Sequence, residues 1–161
     1  YDRFLAKESL YQIEDKASLL KSIEEALKPE GLILITDYVL ADDAAVAAES
    51  YKLWKDGEPR KPFPITQDEY VDQITQAGLS VRVNEDRTQD QIELITKAWH
   101  GIDKLISRLV EDEESAHLVD VLVSEAELWN RRVEAMRDGK IKLCRFLAAK
   151  KDNRPSMMSD W

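Results

Sequence analysis

The stretch at residues 27–38, LKPEGLILITDY, decides how this chain folds. The Lys-Pro pair at 28–29 ends a helix because proline lacks the backbone donor that a helix needs, and Glu-Gly at 30–31 forms a turn. Residues 32–35 are a continuous apolar run, which predicts a strand buried on both faces between layers of helices. The sequence therefore predicts an α/β domain built around this strand.

The sequence before this stretch supplies a helix and another strand. Residues 1–7 predict a short strand that ends in a loop. Asp15 can accept a hydrogen bond from the free amides at the start of a helix, and the apolar residues after it have helical spacing. Those residues are Leu19, Leu20, Ile23 and Leu27. Strand, helix and strand in this order predict a parallel pair of strands.

The sequence after this stretch alternates helices and strands. Residues 41–56 predict a helix, and residues 57–65 hold three prolines and predict a loop. Thr66 with a glutamate three residues later is a capping box that begins the next helix, and Gly78 is placed to end it in a left-handed turn. The alternating apolar residues at 79–83 predict a half-buried strand near a sheet edge.

The last third of the chain is mostly helical. Residues 88–137 have helical patterns, and a second capping box, Ser124 with Glu127, predicts a separate helix from that point. Residues 141–149 predict a final strand, and residues 152–161 a mobile tail. The organisation predicted is one domain over residues 1–151.

The composition argues against nucleic-acid binding and against a metal site. The chain has 161 residues, with 32 acidic and 23 basic side chains and a net charge of −9, whereas binding to phosphates needs a basic surface. The two histidines, His100 and His117, have no partners at metal-ligand spacing. Cys144 is the single cysteine, which excludes an internal disulfide and is compatible with a reducing compartment. No apolar run approaches the roughly 20 residues of a membrane span. We expect a cytoplasmic protein.

The order of these elements and their local motifs resemble the C-terminal half of class I S-adenosylmethionine-dependent methyltransferases. In that family an aromatic-Asp pair begins the fourth strand, as at residues 1–2, and a Leu-Lys-Pro-x-Gly turn, as at 27–31, leads into the fifth. QAGL at 76–79 resembles the turn into the sixth strand. LCRFLAAK at 143–150 resembles the seventh, which lies antiparallel between the fifth and sixth. The resemblance implies strands four to seven of a Rossmann-like sheet, with the helices of 88–137 inserted over the substrate side.

Within the family, the chain is most similar to phosphoethanolamine methyltransferases and related small-molecule N-methyltransferases. ITDY at residues 35–38, Arg60-Lys61, and the Trp-x-Arg-Arg motif at 129–132 carry this similarity. The implied activity is methylation of a small molecule, at an amine nitrogen. The implied cofactor is S-adenosylmethionine, and the implied partner is a small-molecule methyl acceptor.

The resemblance assigns catalytic and cofactor roles to the loop after the first strand. Glu8 matches an acidic residue near the amine, and Lys7 matches a position beside the cofactor. Gln12 stands where the phosphoethanolamine enzymes have a catalytic histidine, and glutamine cannot take up a proton at neutral pH. The alternatives for Glu8 and Lys7 are a helix-start carboxylate and a solvated lysine.

The resemblance also assigns substrate binding to three further residues. Tyr38, at the carboxyl end of the central strand, matches a tyrosine that contacts phosphate, and Arg60 and Arg132 match two basic positions that hold it. A guanidinium suits bidentate contact with phosphate. The alternatives are a packing tyrosine and solvated arginines. Pro62 replaces the second aromatic near the phosphate, which puts a phosphobase substrate in question.

Two features predict that this chain is a fragment of a longer enzyme. It begins at Tyr1, and it lacks the glycine-rich turn with which the family binds its cofactor. We therefore expect the chain by itself to bind S-adenosylmethionine weakly and to be inactive. The alternative function is a non-catalytic, methyltransferase-like module that pairs with a partner through its incomplete sheet. In either case the open edge at residues 2–6 predicts self-association.

Overall fold

A computed structural model describes residues 1–112 and 115–151, where four strands form one sheet with helices packed on it. The strands are β1 Arg3–Lys7, β2 Leu32–Leu40, β3 Leu79–Asp86 and β4 Ile141–Lys150. The helices are α1 Lys16–Ala26, α2 Glu49–Gly57, α3 Gln67–Gln76, α4 Thr88–Ala98, α5 Ile102–Glu111 and α6 Leu118–Arg137, with short 3₁₀ turns at Leu10–Gln12 and Asp43–Ala47. None of the described helices is long and apolar enough to cross a membrane. The tail predicted at 152–161 lies outside the described residues.

The sheet has the strand order β1-β2-β4-β3. β1 pairs with β2 in parallel, and β4 is antiparallel to both β2 and β3. Ile33 lies at the centre of the sheet, opposite Phe4 on one side and Ala148 on the other. This confirms the predicted α/β arrangement, with the last strand inserted antiparallel between two earlier ones.

The two faces of β2 pack into two separate cores. Ile33 and Ile35 are fully buried against α1 and α3, beside the stacked rings of Tyr70 and Phe146, whose centroids are 4.7 Å apart. Near the carboxyl end of β2, Tyr38 enters a second core formed with side chains of α2, α4 and α6. This second core supports the candidate site.

The expectation that helices cover both faces of the central strand is met only in part. Leu5, Leu34, Leu147 and Val83 form one row across the sheet on the face away from α1 and α3. Leu5 is 70% exposed, the other three are half-buried, and the row lines an open cavity of about 440 Å³. We call these four residues the open row. The described helices therefore cover one face of the apolar run of β2 and leave Leu34 on the other face partly uncovered.

The predicted helix starts and stops are largely confirmed. The Asp15 side chain accepts a hydrogen bond from the backbone amide of Ser18 at 3.0 Å, and Thr66 and Glu69 form the predicted capping box. Gly78 has a φ of +99°, the left-handed conformation that glycine adopts without strain. These local signals are reliable because each depends on contacts within one turn.

Two helix boundaries were predicted wrongly. Residues 41–56 are not one helix, because Asp42 caps a 3₁₀ turn and the extended backbone of Ala48 separates that turn from α2. The box at Ser124 does not begin a helix, since α6 passes through it without interruption. Glu127 instead faces Arg131 one turn later at 3.8 Å, an ordinary pairing along a helix.

Asp37 is a buried carboxylate on the face of β2 that packs against α3. One of its oxygens accepts a hydrogen bond from the Tyr70 hydroxyl at 3.0 Å, and the other has no hydrogen-bond partner among the described residues. Burial raises the pKa of Asp37 to about 7, because hydrogen bonds from nearby donors lower this pKa by less than burial raises it. The nearby Lys16 ammonium is also buried and donates to the carbonyls of Ile13 and Phe63, and burial lowers its pKa to about 8.

We expect Asp37→Asn to change how stability depends on pH. The native protein holds the Asp37 proton up to about pH 7, whereas the unfolded chain releases it near pH 3.8, so this group's stabilising contribution declines as the pH rises between those values. Relative to the variant, the wild type should lose up to about 4 kcal/mol of unfolding free energy from pH 4 to pH 7. Urea unfolding followed by tryptophan fluorescence measures this difference. Parallel curves for the two proteins would contradict it.

Candidate functional site

The loop after β1 begins with a residue in a strained conformation. Glu8 has a φ of +49°, in the left-handed region that non-glycine residues rarely adopt. Its backbone amide donates to the carbonyl of Thr36 in β2 at 2.6 Å, which extends the pairing of the two strands by one residue. Strain of this kind persists where the surrounding structure fixes the backbone, and such residues cluster at functional sites.

Two of the predicted site residues contact each other. The Tyr38 hydroxyl donates to one carboxylate oxygen of Glu8 at 3.1 Å. Tyr38 is fully buried, and burial, followed by the charge of Glu8, raises the pKa of its hydroxyl. The hydroxyl therefore stays protonated at neutral pH and holds the Glu8 side chain in one orientation.

Glu8 lines a cavity of about 310 Å³ at this end of the sheet. The rest of its wall comes mainly from α4 and α6, and most of that wall is apolar. The lining residues are Lys7, Glu8, Gln91, Leu94, Ile95, Ala98, Trp99 and Trp129. The cavity lies outside the carboxyl ends of two parallel strands, where open α/β sheets place their ligands.

Glu58 is the centre of a buried hydrogen-bond network that the sequence did not reveal. Its side chain is completely buried at the end of α2. It accepts hydrogen bonds from the Tyr11 hydroxyl at 2.9 Å and from the Trp54 indole at 2.7 Å. Arg132 donates to both of its oxygens, at 2.7 and 2.8 Å, in a bidentate ion pair. In the sequence, Glu58 lies in the proline-rich stretch 57–65, and no motif around it distinguishes it from a solvent-exposed glutamate.

This network contains two more of the predicted residues, Gln12 and Arg132. The Gln12 amide donates to the Tyr11 hydroxyl at 3.0 Å, so it supports a residue that binds Glu58. The Arg132 guanidinium lies 4.5 Å from the ring centroid of Trp129, on the cavity wall. Burial lowers the pKa of Arg132, but its hydrogen bonds and ion pair with Glu58 more than compensate and raise it.

The structure leaves Lys7 and Arg60 outside this network. The Lys7 side chain is 74% exposed at the cavity mouth, 4.0 Å from a Glu8 oxygen. Arg60 is exposed, and within the described ranges no hydrogen bond or ion pair links it to Glu58 or Arg132. Their predicted roles stay predictions.

Comparison with known proteins gives matches to solved structures. A phosphoethanolamine N-methyltransferase from Haemonchus contortus, in complex with phosphomonomethylethanolamine and S-adenosylhomocysteine, superposes with a TM-score of 0.77 at 22% identity over 94% of this chain. A sarcosine dimethylglycine methyltransferase assigned in Galdieria sulphuraria (TM-score 0.72, 18% identity, 94% of this chain) and a Mycobacterium tuberculosis cyclopropane synthase (0.75, 12%, 92%) are also similar. The chain has the fold of class I methyltransferases.

The chain corresponds to only part of the length of each of these structures. The chain covers 34% of the Haemonchus enzyme, 53% of the Galdieria protein and 55% of the Mycobacterium synthase. Its sequence matches no protein-family model and no curated protein. The similarity therefore shows the fold, and activity has to be argued from the site.

The described residues do not fit the cofactor side of a methyltransferase. A Cβ atom added to Gly101 or Gly139 would meet nothing within 4 Å, whereas at glycines 31, 57 and 78 it would meet backbone or side-chain atoms of the same chain. None of these glycines forms a backbone recess that a ligand could enter and that a side chain at the same position would block. No group of histidine, cysteine, aspartate or glutamate in the described part of the chain could hold a metal ion either.

We expect Glu58→Gln to destabilise the protein by about 3–5 kcal/mol, because it leaves the Arg132 cation buried without its counter-ion. Urea unfolding at pH 7, followed by tryptophan fluorescence, measures the change. Glu127→Gln is the matched control, since it breaks an exposed glutamate–arginine contact on α6 and should cost less than about 1 kcal/mol. Equal effects of the two substitutions would contradict a structural role for Glu58.

Proposed function

We propose that this chain supplies the acceptor side of an S-adenosylmethionine-dependent methyltransferase that methylates an amine nitrogen of a small molecule, as part of a longer protein. The observation that carries the proposal is Glu8 at the wall of the cavity. Its strained backbone is bonded to Thr36, and its carboxylate accepts a hydrogen bond from Tyr38. A fixed carboxylate in an otherwise largely apolar cavity attracts and orients a cationic or hydrogen-bonding amine.

In this proposal the residues of the chain position the acceptor. Glu8 binds the amine, and Tyr38 fixes the direction of the carboxylate. Gln12 can donate and accept hydrogen bonds but cannot accept a proton at neutral pH, so the chain offers no base at that position. Catalysis from this side would therefore be by orientation. The bound amine would give its proton to water, and its free lone pair would form the new nitrogen–carbon bond as the sulfur–methyl bond breaks and S-adenosylhomocysteine leaves.

The Haemonchus enzyme, which binds a phosphorylated amine and S-adenosylhomocysteine, supports an amine acceptor. Lys7 would lie beside the cofactor at the cavity mouth. The contacts with the acceptor that the resemblance implies for Arg60 and Arg132 stay predictions. The glycine-rich turn that binds the cofactor would lie in a part of the protein outside this chain. The buried free thiol of Cys144 is compatible with our expectation that the enzyme acts in the cytoplasm.

We expect the protein encoded by the complete reading frame to transfer labelled methyl groups from S-adenosylmethionine to a small amine. Glu8→Gln should lower kcat/KM on the order of 100-fold, because the acceptor loses its orienting charge. The isolated chain should incorporate no label and should show no saturable binding of S-adenosylhomocysteine up to about 1 mM in calorimetry.

The control for this assay is Glu14→Gln, which removes an exposed carboxylate on the same loop and should leave kcat/KM unchanged. Full activity of the Glu8 variant would refute the role of Glu8. Tight cofactor binding by the isolated chain would refute the division of the site between two parts of a longer protein.

The open row and the edge of β1 favour a second candidate, a non-catalytic module that binds a partner through its sheet. β1 is at the end of the strand order, and Leu5 within it is 70% exposed. An unpaired strand edge is a template for another strand, and apolar side chains beside it add area to such an interface. A second copy of the chain is the simplest partner.

We expect the isolated chain to self-associate and Leu5→Lys to weaken its dimerisation at least about tenfold, since a charge on an edge strand opposes pairing. Sedimentation velocity over a range of concentrations measures the dissociation constant. Leu53→Lys is the control, because Leu53 is 52% exposed on α2 and is not part of the sheet. A wild-type chain that stays monomeric at the highest concentration would contradict this candidate.

A further inference from the structure

We propose that the acceptor is an unphosphorylated amine with an apolar body. This inference rests on the proposed function and narrows its substrate class. It departs from the phosphate-binding roles that the family resemblance implies for Tyr38, Arg60 and Arg132. Three observations carry it: the pairing of Arg132, the charge inside the cavity and the composition of the cavity wall.

Arg132 is already neutralised within the protein. Glu58 accepts from two different nitrogens of its guanidinium, and the side chains of the pair are 11% and 0% exposed. A phosphate at this position would have to approach a buried carboxylate that shares the same cation. Because like charges at close range disfavour each other strongly, the Arg132–Glu58 pair is a poor anion site.

Tyr38 and Arg60 do not make up for the lack of a free cation at Arg132. The Tyr38 hydroxyl, which a phosphate would need as a donor, already donates to the Glu8 carboxylate at 3.1 Å. Arg60 is exposed and has no contact that brings it to Arg132 among the residues described. Three groups that would have to converge on a phosphate are thus directed to other partners or to solvent.

The charge inside the cavity has the sign that binds a cation. Glu8 is the carboxylate of the cavity wall, with a side chain 15% exposed. Its charged neighbour, Lys7, is 74% exposed and 4.0 Å away, and an exposed pair at that distance is weak and readily displaced. An ammonium group from a ligand can therefore replace Lys7 at the carboxylate.

Apolar side chains form the wall facing Glu8. Leu94, Ile95 and Ala98 come from α4, and the rings of Trp99 and Trp129 complete the wall. A second cavity of about 340 Å³ shares Ile95 and both tryptophans and reaches Ile102 of α5. A volume of about 310 Å³ is at the lower end of small-molecule pockets, so a compact hydrocarbon or aromatic body fits beside the amine.

Binding of four probes to this chain, followed by tryptophan fluorescence and calorimetry, tests the inference. Benzylamine carries the expected cation and apolar body, and benzoate reverses the charge. Ethanolamine lacks the apolar body, and phosphoethanolamine lacks it and adds a phosphate. We expect saturable binding of benzylamine, and at least about tenfold weaker binding of the other three. Phosphoethanolamine binding as tightly as benzylamine would overturn the proposal, as would the absence of saturable benzylamine binding.

Two variants locate the binding. Glu8→Gln should weaken benzylamine binding at least about tenfold, and Glu14→Gln should leave it unchanged. Leu94→Lys places a cation on the cavity wall at a side chain that is 60% exposed, so it should weaken benzylamine binding without disturbing the core. Circular dichroism checks that each variant is folded. Unchanged binding in a folded Leu94→Lys variant would show that benzylamine binds elsewhere and would overturn the proposal.

The same probes separate this inference from the proposed function. If the complete protein methylates phosphoethanolamine in preference to benzylamine, the methyltransferase function stands and the substrate class is wrong. If the chain binds benzylamine through Glu8 but the complete protein methylates no amine, the binding site stands and the proposed function is wrong.

Discussion

The buried carboxylate of Glu58 is the constraint on which the arrangement of the site depends. It binds donors from three separate elements: Tyr11 in the 3₁₀ turn after β1, Trp54 in α2 and Arg132 in α6. A buried ion pair stabilises only when its remaining hydrogen-bonding capacity is satisfied, and here four donors satisfy two oxygens. The contacts of Glu58 therefore fix three parts of the site relative to one another: the loop that carries Glu8, helix α2, and the cavity wall formed by α6.

Much of the fold follows from short segments of the sequence. The apolar run at Leu32–Ile35, the cap at Asp15 and the box at Thr66 each depend on neighbours within a few residues, and each was predicted correctly. The break at Ala48 and the unbroken course of α6 were not predicted. Both are decided by packing against distant parts of the chain, which local helix signals do not contain.

The site was predicted less completely, for a physical reason. The resemblance assigned Glu8 to the amine and Tyr38 to a phosphate, and only the structure shows that the two side chains contact each other. Glu58 could not be predicted, because its role comes from three partners that are far apart in sequence. The resemblance assigned Arg132 to phosphate binding, and only the structure shows that its guanidinium is paired with Glu58. Long-range pairing of charges decides which of the candidate residues can face a ligand.

The place of β4 in the sheet has a consequence for biosynthesis. β2 and β3 are not paired with each other, and Ile141–Lys150 joins them by pairing with both. During translation, residues 32–86 therefore leave the ribosome as separate pieces of a sheet whose joining strand has yet to be made. Such late pairing of distant segments slows folding and exposes apolar strands to other nascent chains. The apolar strands β2 and β3 are therefore open to wrong pairing until Ile141–Lys150 has been made.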